Sequence, residues 1–348
     1  MKPAASADQS GFDADSTDTL DTIGEVAALR RIFPLLPDAA AALLGPGDDA
    51  AVLAAPDGRY VVTTDMMVHG PDFRWAWSTP EDLGWKAAAT NLADVAAMGA
   101  RPTAIVVAIA APADTTIGVL ERFADGLRAA CEALAPGCGV VGGDLSASSV
   151  FTIAVTAFGD LEGRAPVLRS GAAAGDLVAI TGSVGSAAHG LHLLFEHGTG
   201  EDGSPDRSRA QALRDDPHVR AQLRPEPPIA SGTEAAIAGA TAMLDVSDGL
   251  CLDAGRLAAA SGVAIDIETA ALRAAMADGV ELAEALAGGE EHALLACFPA
   301  NAVLPAAFRR VGTVRAGSGV LVDGTPRDEA TSSSTGWDPY SGWDGAVG

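Results

Sequence analysis

Positive charge is scarce in this sequence of 348 residues. Lysine and arginine together number 22 against 46 aspartates and glutamates, so the formal net charge is −24 at pH 7. A surface this acidic repels the phosphates of nucleic acids and of anionic membranes, so we expect neither as a partner. An acidic chain can still bind a polyanionic ligand where metal cations bridge the two.

The common nucleotide-binding motifs are missing. The only lysines are Lys2 and Lys86, and neither follows a GxxxxG run, which excludes a Walker P-loop. The HRD and DFG elements of protein kinases do not occur. Residues 137–142 match GxGxxG, but this run follows a predicted helix and precedes a predicted strand. The dinucleotide fingerprint requires the opposite order, so we reject that interpretation.

Secretion and membrane signals are also missing. The chain has four cysteines without a CxxC pair, which we interpret as buried thiols in a reducing compartment. The N-terminus is acidic and lacks the basic start and apolar run of a signal peptide. The longest apolar run, 104–113, is far shorter than the ~20 residues that span a bilayer. We therefore predict a cytoplasmic protein without membrane association.

The length and the globular composition predict two domains. We expect a disordered tail over 1–21, an N-terminal domain over 22–165 and a C-terminal domain over 166–348. Strands and helices alternate in both halves in a way that favours an α+β fold over a doubly wound sheet. Residues 198–228 are rich in Gly, Asp, Arg and Pro without periodicity, and we predict a mobile surface loop there.

One helix can be predicted with its start and its end. Thr79 supplies a capping hydroxyl, Pro80 suits the first helical position, and two acids follow in the first turn. Gly99 is a typical helix stop, so the helix should run to Met98. It carries a polar stripe of Lys86, Thr90 and Asp94 at four-residue steps in an otherwise apolar sequence.

Aspartates follow apolar, strand-like segments at several points, next to Gly, Ser or Thr. A carboxylate at the edge of a core is costly unless it is paired or binds a metal, and few basic residues are available to pair them. Single carboxylates combined with phosphate oxygens suit Mg²⁺ better than a calcium cage does. Each aspartate alone could equally be a turn or helix cap. These aspartates are Asp48, Asp49, Asp65, Asp94, Asp144, Asp245 and Asp248.

Six motifs occur in the order seen in a known family. They are Gly47-Asp-Asp-Ala, Thr63-Thr-Asp, Asn91-Leu-Ala-Asp-Val-Ala-Ala-Met-Gly-Ala, Gly142-Gly-Asp, Asp245-Val-Ser-Asp-Gly-Leu and Gly288-Gly-Glu-Glu. In these six motifs and their order, the sequence resembles the thiamine-monophosphate kinase family, which belongs to the aminoimidazole ribonucleotide synthetase-like superfamily. The resemblance extends from about residue 22 to Trp337. Each motif is weak alone, but six in register are specific.

The resemblance implies a two-domain α+β subunit and a homodimer whose N-terminal domains pair to form the nucleotide cleft. It implies the reaction of ATP with thiamine monophosphate to give thiamine diphosphate and ADP, with several Mg²⁺ ions. The Mg²⁺-linked positions that match are Asp49, Thr63, Thr64, Asp65, Asp94, Asp144, Asp245 and Asp248. The matching ATP contacts are Gly143, Asp144, Arg169 and Ser247, and the matching substrate-side positions are Asp72, Glu290 and Trp337.

Some positions depart from the family pattern, and others could have purely structural roles. Asp72 stands where the family commonly has His, and Glu291-His292 replaces Asp-Tyr. Asp48 could share the metal role of Asp49. Without the resemblance, Arg169 could be an ordinary turn residue, Glu290 could cap a turn, and Trp337 could be a packing anchor.

The acceptor phosphate, with a second pKa of ~6, is already ionised at neutral pH, so we expect no general base. We also expect no phosphoenzyme, because no histidine belongs to the motif set. A purine-biosynthesis ligase-like enzyme, a carbamoyl-transfer maturation protein and a non-catalytic nucleotide or metal sensor are the alternatives.

Overall fold

The computed structural model describes residues 18–44 and 51–327. The helices of this part are α1 (Leu20–Ile32), α2 (Pro80–Ala97), α3 (Ile117–Leu134), α4 (Ser186–His197), α5 (Arg207–Ala212), α6 (Pro217–Leu223), α7 (Ile229–Ile237), α8 (Leu250–Ser261), α9 (Thr269–Leu272) and α10 (Leu282–Ala287). Its strands are β1 (Ala42–Leu44), β2 (Val52–Leu53), β3 (Val61–Val68), β4 (Arg101–Ala111), β5 (Gly139–Ala147), β6 (Thr152–Asp160), β7 (Leu177–Thr181), β8 (Ala242–Val246), β9 (Ala264–Ile267), β10 (Ala293–Phe298), β11 (Arg309–Arg315), β12 (Gly319–Val322) and β13 (Thr325–Pro326).

The N-terminal half is built on a four-stranded sheet in the order β3-β6-β4-β5. Strand β4 is parallel to β5, and the other neighbours are antiparallel. Helix α2 packs on one face of this sheet and against α3. The predicted start of α2 is confirmed, because the Thr79 side chain accepts from the Asp82 N–H and the Asp82 side chain accepts from the Thr79 N–H.

Helices α2 and α3 touch through their backbones. A Cβ atom added at Gly84 would lie 2.0 Å from the carbonyl oxygen of Phe123, and one added at Gly126 would lie 2.2 Å from that of Glu81. Only glycine fits at these two positions. The contact fixes the position of α2, which is buried along nearly its whole length.

The C-terminal half is a seven-stranded sheet in the order β13-β12-β9-β11-β7-β10-β8. Its strands pair antiparallel except for β12 and β9, which are parallel. A second apolar core lies between this sheet and α8. The α+β prediction is confirmed, and the four cysteines are buried and free as expected.

The prediction for residues 198–228 was wrong in its secondary structure. This segment contains α5 and α6, capped by the side chains of Asp206 and Asp216. Leu223 and other apolar side chains of the segment pack with Trp77 in a third small core. The apolar residues that anchor the segment are too few to show a helical period in the sequence.

Three smaller points also differ from expectation. Helix α1 begins at Leu20, inside the predicted tail. Residues 139–142 of the GxGxxG match lie within β5 instead of preceding a strand. Strands β11 to β13 were not predicted; in β11, arginines stand at both ends and leave only a short stretch between them. Among the described residues no helix combines the length and apolar character needed to cross a bilayer, and the cytoplasmic location stays a prediction.

Candidate active site

Helix α2 carries its polar stripe into the interior. Lys86 and Thr90 of the stripe and the adjacent Asn91 are only 5%, 8% and 1% exposed, and Asp94 is half-buried. The stripe therefore faces the space between the two halves of the chain and not solvent. Buried polar groups of this kind need partners, and those outside α2 come from β3, α6 and the 288–292 turn.

Four aspartates interact electrostatically at the C-terminal part of α2: Asp94 of the helix itself, Asp65 of β3, Asp245 of β8 and Asp248 just after β8. Asp94 accepts from the Thr63 hydroxyl of β3 at 2.6 Å, and the Asn91 carboxamide oxygen accepts from the Asp65 N–H at 3.1 Å. Burial, and then the charges of Asp245 and Asp65, raise the pKa of Asp94 to about 7. Burial also raises the pKa of Asp65, which Asp245 and Asp248 raise further. We call Asp65, Asp94, Asp245 and Asp248 the carboxylate cluster.

The turn after β8 is held by Asp253, which the sequence did not single out. One carboxylate oxygen of Asp253 accepts from the N–H groups of Ser247, Asp248 and Gly249 at 3.1, 3.0 and 3.1 Å. Burial raises the pKa of Asp253 to about 6. These N–H groups are therefore already engaged, and they are not the open phosphate cradle that a glycine-rich turn can offer. The Asp248 carboxylate accepts from Arg256 at 2.6 Å.

A histidine lies in the cluster, although none was expected there. His292 Nδ1 is 3.0 Å from the Asp245 carboxylate, and both side chains are buried. Burial opposes the charged imidazole, but Asp245 raises the pKa of His292 above its ordinary value. The signal in the sequence was the unusual Glu291-His292 pair. Its significance was hidden because residues 245 and 292 meet only through the pairing of β8 with β10.

The substrate-side candidates Asp72 and Glu290 lie near Lys86. The Glu290 carboxylate contacts the Lys86 ammonium, and the Asp72 carboxylate accepts from the Val68 N–H at 2.7 Å. Burial raises the pKa of Asp72, Glu290 raises it further, and Lys86 lowers it. One oxygen of Asp72 thus holds the turn that follows β3.

Two cavities lie against these groups. The first, of about 790 Å³, has apolar walls that include Leu191, Trp77 and Phe195, and we call it the aromatic cavity. The polar residues that line it include Asp72, Lys86, Ser247, Asp248 and Glu290. The second, of about 690 Å³, is lined by Arg59 and Arg169, and we call it the arginine cavity. It is also lined by Thr63, Asp94 and Asp245. The carboxylate cluster therefore contributes to the walls of both cavities.

Some predicted residues are not brought together within one chain. Asp144 is on β5 and Asp65 is on β3, at opposite edges of the four-stranded sheet. Register places Asp144 in one row with Ala108, Ala154 and Met66, on the sheet face opposite Asp65. With strands about 4.8 Å apart, this row is roughly 14 Å long.

The remaining predicted positions are spread over several elements. Gly143 precedes Asp144 on β5 and is likewise remote from the cluster. Thr64 donates to the Val155 carbonyl at 2.9 Å, and its side chain shares the sheet face of Asp144. Arg169 lines the arginine cavity. Asp48, Asp49 and Trp337 lie outside the described residues.

A preformed metal site is not seen. Within residues 18–44 and 51–327, no group of three or more His, Cys, Asp or Glu side chains could hold a metal ion. The donor set nevertheless suits Mg²⁺, which prefers carboxylate and other oxygen ligands and keeps several waters. Burial is the main cause of the raised pKa of Asp94, and repulsion by Asp245 and Asp65 raises it further; a divalent cation relieves such repulsion.

The sequence matches two domains of one family along most of its length. Residues 47–161 match the AIR synthase related protein, N-terminal domain, and residues 173–319 match the corresponding C-terminal domain. The chain is 44% identical to thiamine-monophosphate kinase of Mycobacterium tuberculosis, over 95% of this chain and 94% of that one. The chain belongs to the thiamine-monophosphate kinase family. The family member of Corynebacterium glutamicum is 39% identical over 84% of this chain and 87% of that one.

Solved structures of the thiamine-monophosphate kinase family share this fold. The enzyme of Stenotrophomonas maltophilia superposes with a TM-score of 0.69 at 30% identity, covering 86% of this chain and 97% of that one. AaThiL complexed with AMPPCP and TMP gives a TM-score of 0.67 at 32% identity, covering 81% and 89%. The hydrogenase maturation protein HypE, at 19% identity and a TM-score of 0.62 over 86% of this chain and 93% of that one, shares the fold alone.

Proposed function

We propose that the protein transfers the γ-phosphoryl group of ATP to thiamine monophosphate, giving thiamine diphosphate and ADP. The observation that carries this proposal is the pair of cavities that meet at one carboxylate cluster. Membership of the thiamine-monophosphate kinase family supports the choice of substrates, as does the AaThiL complex with AMPPCP and TMP.

The charge of each cavity supports a different occupant. Arg59 and Arg169 line the arginine cavity, and guanidinium groups suit phosphates, so we assign this cavity to the nucleotide. The aromatic cavity combines the carboxylates of Asp72 and Glu290 with Trp77 and Phe195, and the Arg74 guanidinium lies 4.7 and 5.0 Å from the centroids of these two rings. A flat cationic ring system such as thiamine can pair with these carboxylates while it packs on the apolar walls. The acceptor phosphate then lies on the side of Ser247 and Asp248.

The main physical obstacle is repulsion between two polyanions. At ~4 Å and an effective dielectric constant of ~20, each pair of unit charges repels by ~4 kcal/mol. Mg²⁺, when bound, supplies the positive charge that offsets this repulsion. Within the described residues, the carboxylate cluster and the Thr63 hydroxyl are the groups that we propose to hold it. Asp49, Thr64 and Asp144 stay proposals on sequence grounds alone.

The protein's own task is then to orient the two substrates for direct in-line transfer. The acceptor phosphate is ionised near neutral pH, so no residue needs to remove a proton from it. His292 is paired with Asp245, and we assign it to orienting that carboxylate and not to carrying a phosphoryl group. Rapid-quench labelling with γ-labelled ATP, without acceptor, should leave the protein unlabelled.

We further propose a homodimer in which a second copy covers the sheet face that carries Thr64 and Asp144. Val62 and Met66 on this face are 61% and 62% exposed. Large apolar side chains exposed together on one sheet face favour burial against another chain. Such pairing offers a way to bring Asp144 of one copy near the site of the other, which a single chain does not do. Sedimentation of the wild type and of Met66→Glu tests it.

A direct assay tests the proposed function. Purified protein is incubated with ATP, Mg²⁺ and thiamine monophosphate, and the products are separated by chromatography. Equimolar thiamine diphosphate and ADP are expected, with neither formed when EDTA is added. Other phosphorylated acceptors serve as controls. ATP hydrolysis that is independent of thiamine monophosphate, or binding without turnover, would overturn the proposal in favour of a sibling enzyme or a sensor.

A further inference from the structure

Lys86 is a buried ammonium group at the aromatic cavity, and the sequence contains only one other lysine. It is 5% exposed and contacts the Glu290 carboxylate. It also donates to the main-chain carbonyl oxygen of Gln222 at 3.3 Å. A buried ammonium is tolerated only when it is paired in this way. Its partners come from α6 and from the turn before β10, so Lys86 joins three separate parts of the chain.

Gln222 and Lys86 contact the same oxygen of the Glu290 carboxylate. Gln222 Nε2 donates to Glu290 Oε2 at 3.2 Å, and Oε2 is also the oxygen that Lys86 contacts. Exchanging the amide oxygen and nitrogen of Gln222 would put two acceptors together, so this orientation is the favourable one. Within the described residues Gln222 Oε1 is buried without a partner. Glu290 Oε1, which makes no hydrogen bond there either, is left to accept from a ligand.

The backbone of Glu290 is fixed as well. Its φ angle of 73° lies in the left-handed region, and its N–H donates to the Ser247 carbonyl at 2.9 Å. A Cβ atom added at the preceding Gly289 would lie 2.1 Å from that same carbonyl oxygen. A non-glycine residue adopts this conformation where its surroundings impose it. The direction of the carboxylate is therefore set by both backbone and side-chain contacts.

We propose that Lys86 and Gln222 are positioning residues that hold Glu290 so that its free oxygen accepts from an N–H donor of the acceptor substrate. This inference rests on the proposed function and deepens it. In thiamine monophosphate the amino-substituted pyrimidine supplies such a donor. Lys86 and Gln222 thus affect the binding of the acceptor ring and not the binding of the nucleotide.

A double-mutant cycle tests the inference. Lys86→Met should raise the KM for thiamine monophosphate about tenfold or more, the loss expected for a hydrogen bond to a charged group, and leave the KM for ATP within about twofold. In the Glu290→Gln background, Lys86→Met should raise the KM for thiamine monophosphate by less than about twofold, because the carboxylate that Lys86 holds is already absent. Gln222→Leu should act in the same direction, and Lys86→Arg should restore part of the affinity.

Calorimetric titration of thiamine monophosphate without ATP provides a readout independent of turnover. Gln211→Leu, on an exposed face of α5, is the matched control and should bind like the wild type. Equal increases in both KM values, or an undiminished effect of Lys86→Met in the Glu290→Gln background, would make Lys86 merely structural. If Lys86→Met does not fold, Lys86→Arg and Gln222→Leu decide the question.

The two proposals fail separately. A wild type that binds thiamine monophosphate but forms no thiamine diphosphate refutes the proposed function, and the calorimetric cycle still decides the positioning role. A wild type that does not bind thiamine monophosphate refutes both.

Discussion

Replacing Asp94 by asparagine should stabilise the metal-free protein while abolishing its activity. Burial and the Asp245 and Asp65 carboxylates raise the pKa of Asp94 from 3.8 to about 7. A carboxyl group whose pKa is raised on folding destabilises the folded state when it ionises. This penalty is absent below pH ~4, grows as the pH rises and is complete above about 7. Asparagine removes the charge and can still accept from the Thr63 hydroxyl.

The size of the effect follows from that difference in pKa. At about 1.36 kcal/mol for each pKa unit, the penalty above pH 7 is at most about 4 kcal/mol. Relaxation of the neighbouring carboxylates reduces it, so we expect a gain of about 2 kcal/mol at pH 8. For a chain of this size that corresponds to a rise in Tm of roughly 5 °C.

The assay is thermal unfolding in EDTA between pH 5 and pH 8.5, followed by circular dichroism. The difference between Asp94→Asn and wild type should grow from pH 5 to slightly above pH 7 and then level off. With Mg²⁺ and ATP added, the wild type should gain stability and the variant should not. The matched control is Asp114→Asn in an exposed turn, which should stay within about 1 °C of the wild type. A loss of several degrees for Asp94→Asn at pH 8 would make Asp94 a structural residue and would refute the reasoning.

Three further substitutions have defined outcomes. Gly289→Ala places a methyl group 2.1 Å from the Ser247 carbonyl oxygen, so kcat should fall at least about tenfold in steady-state assays, and an unchanged kcat would contradict it. Asp253→Ala leaves three N–H groups without their acceptor, which should cost about 2–4 kcal/mol in urea unfolding; a loss below ~1 kcal/mol would argue against that role. Burial raises the pKa of Glu291 from 4.5 to about 7, so its ionisation destabilises the fold progressively between these values. Glu291→Gln should therefore gain up to about 3 kcal/mol over wild type at pH 8.5 and much less at pH 5 in the same unfolding assay, whereas exposed Glu132→Gln should show no such trend.

Local signals predicted much of the fold. Thr79, Pro80 and Gly99 predicted the limits of α2 because helix caps depend on neighbouring residues. The segment 198–228 also carried a local signal, since Asp216-Pro217 is a typical helix start. It was outweighed by the abundance of glycine and proline around it.

The site could be predicted only in part. The polar stripe on α2 was visible in the sequence, but its partners are far away along the chain: Lys86 meets Glu290 across 204 positions. Sheet order is a tertiary property, so the sequence could not show that Asp65 and Asp144 lie at opposite edges. The backbone of His292 has a φ angle of 52°, a left-handed conformation that cannot be predicted from the residue type alone.

The contact between α2 and α3 has a consequence for the spacing of the two cavities. Lys86 borders one cavity and Asp94 the other, and eight residues of helix separate them by about 12 Å. Because Gly84 is pressed against the backbone of α3, α2 cannot slide or turn without a clash. The position of α2 is therefore fixed relative to α3. The distance between the Lys86 side of one cavity and the Asp94 side of the other is therefore fixed by the length of one helix.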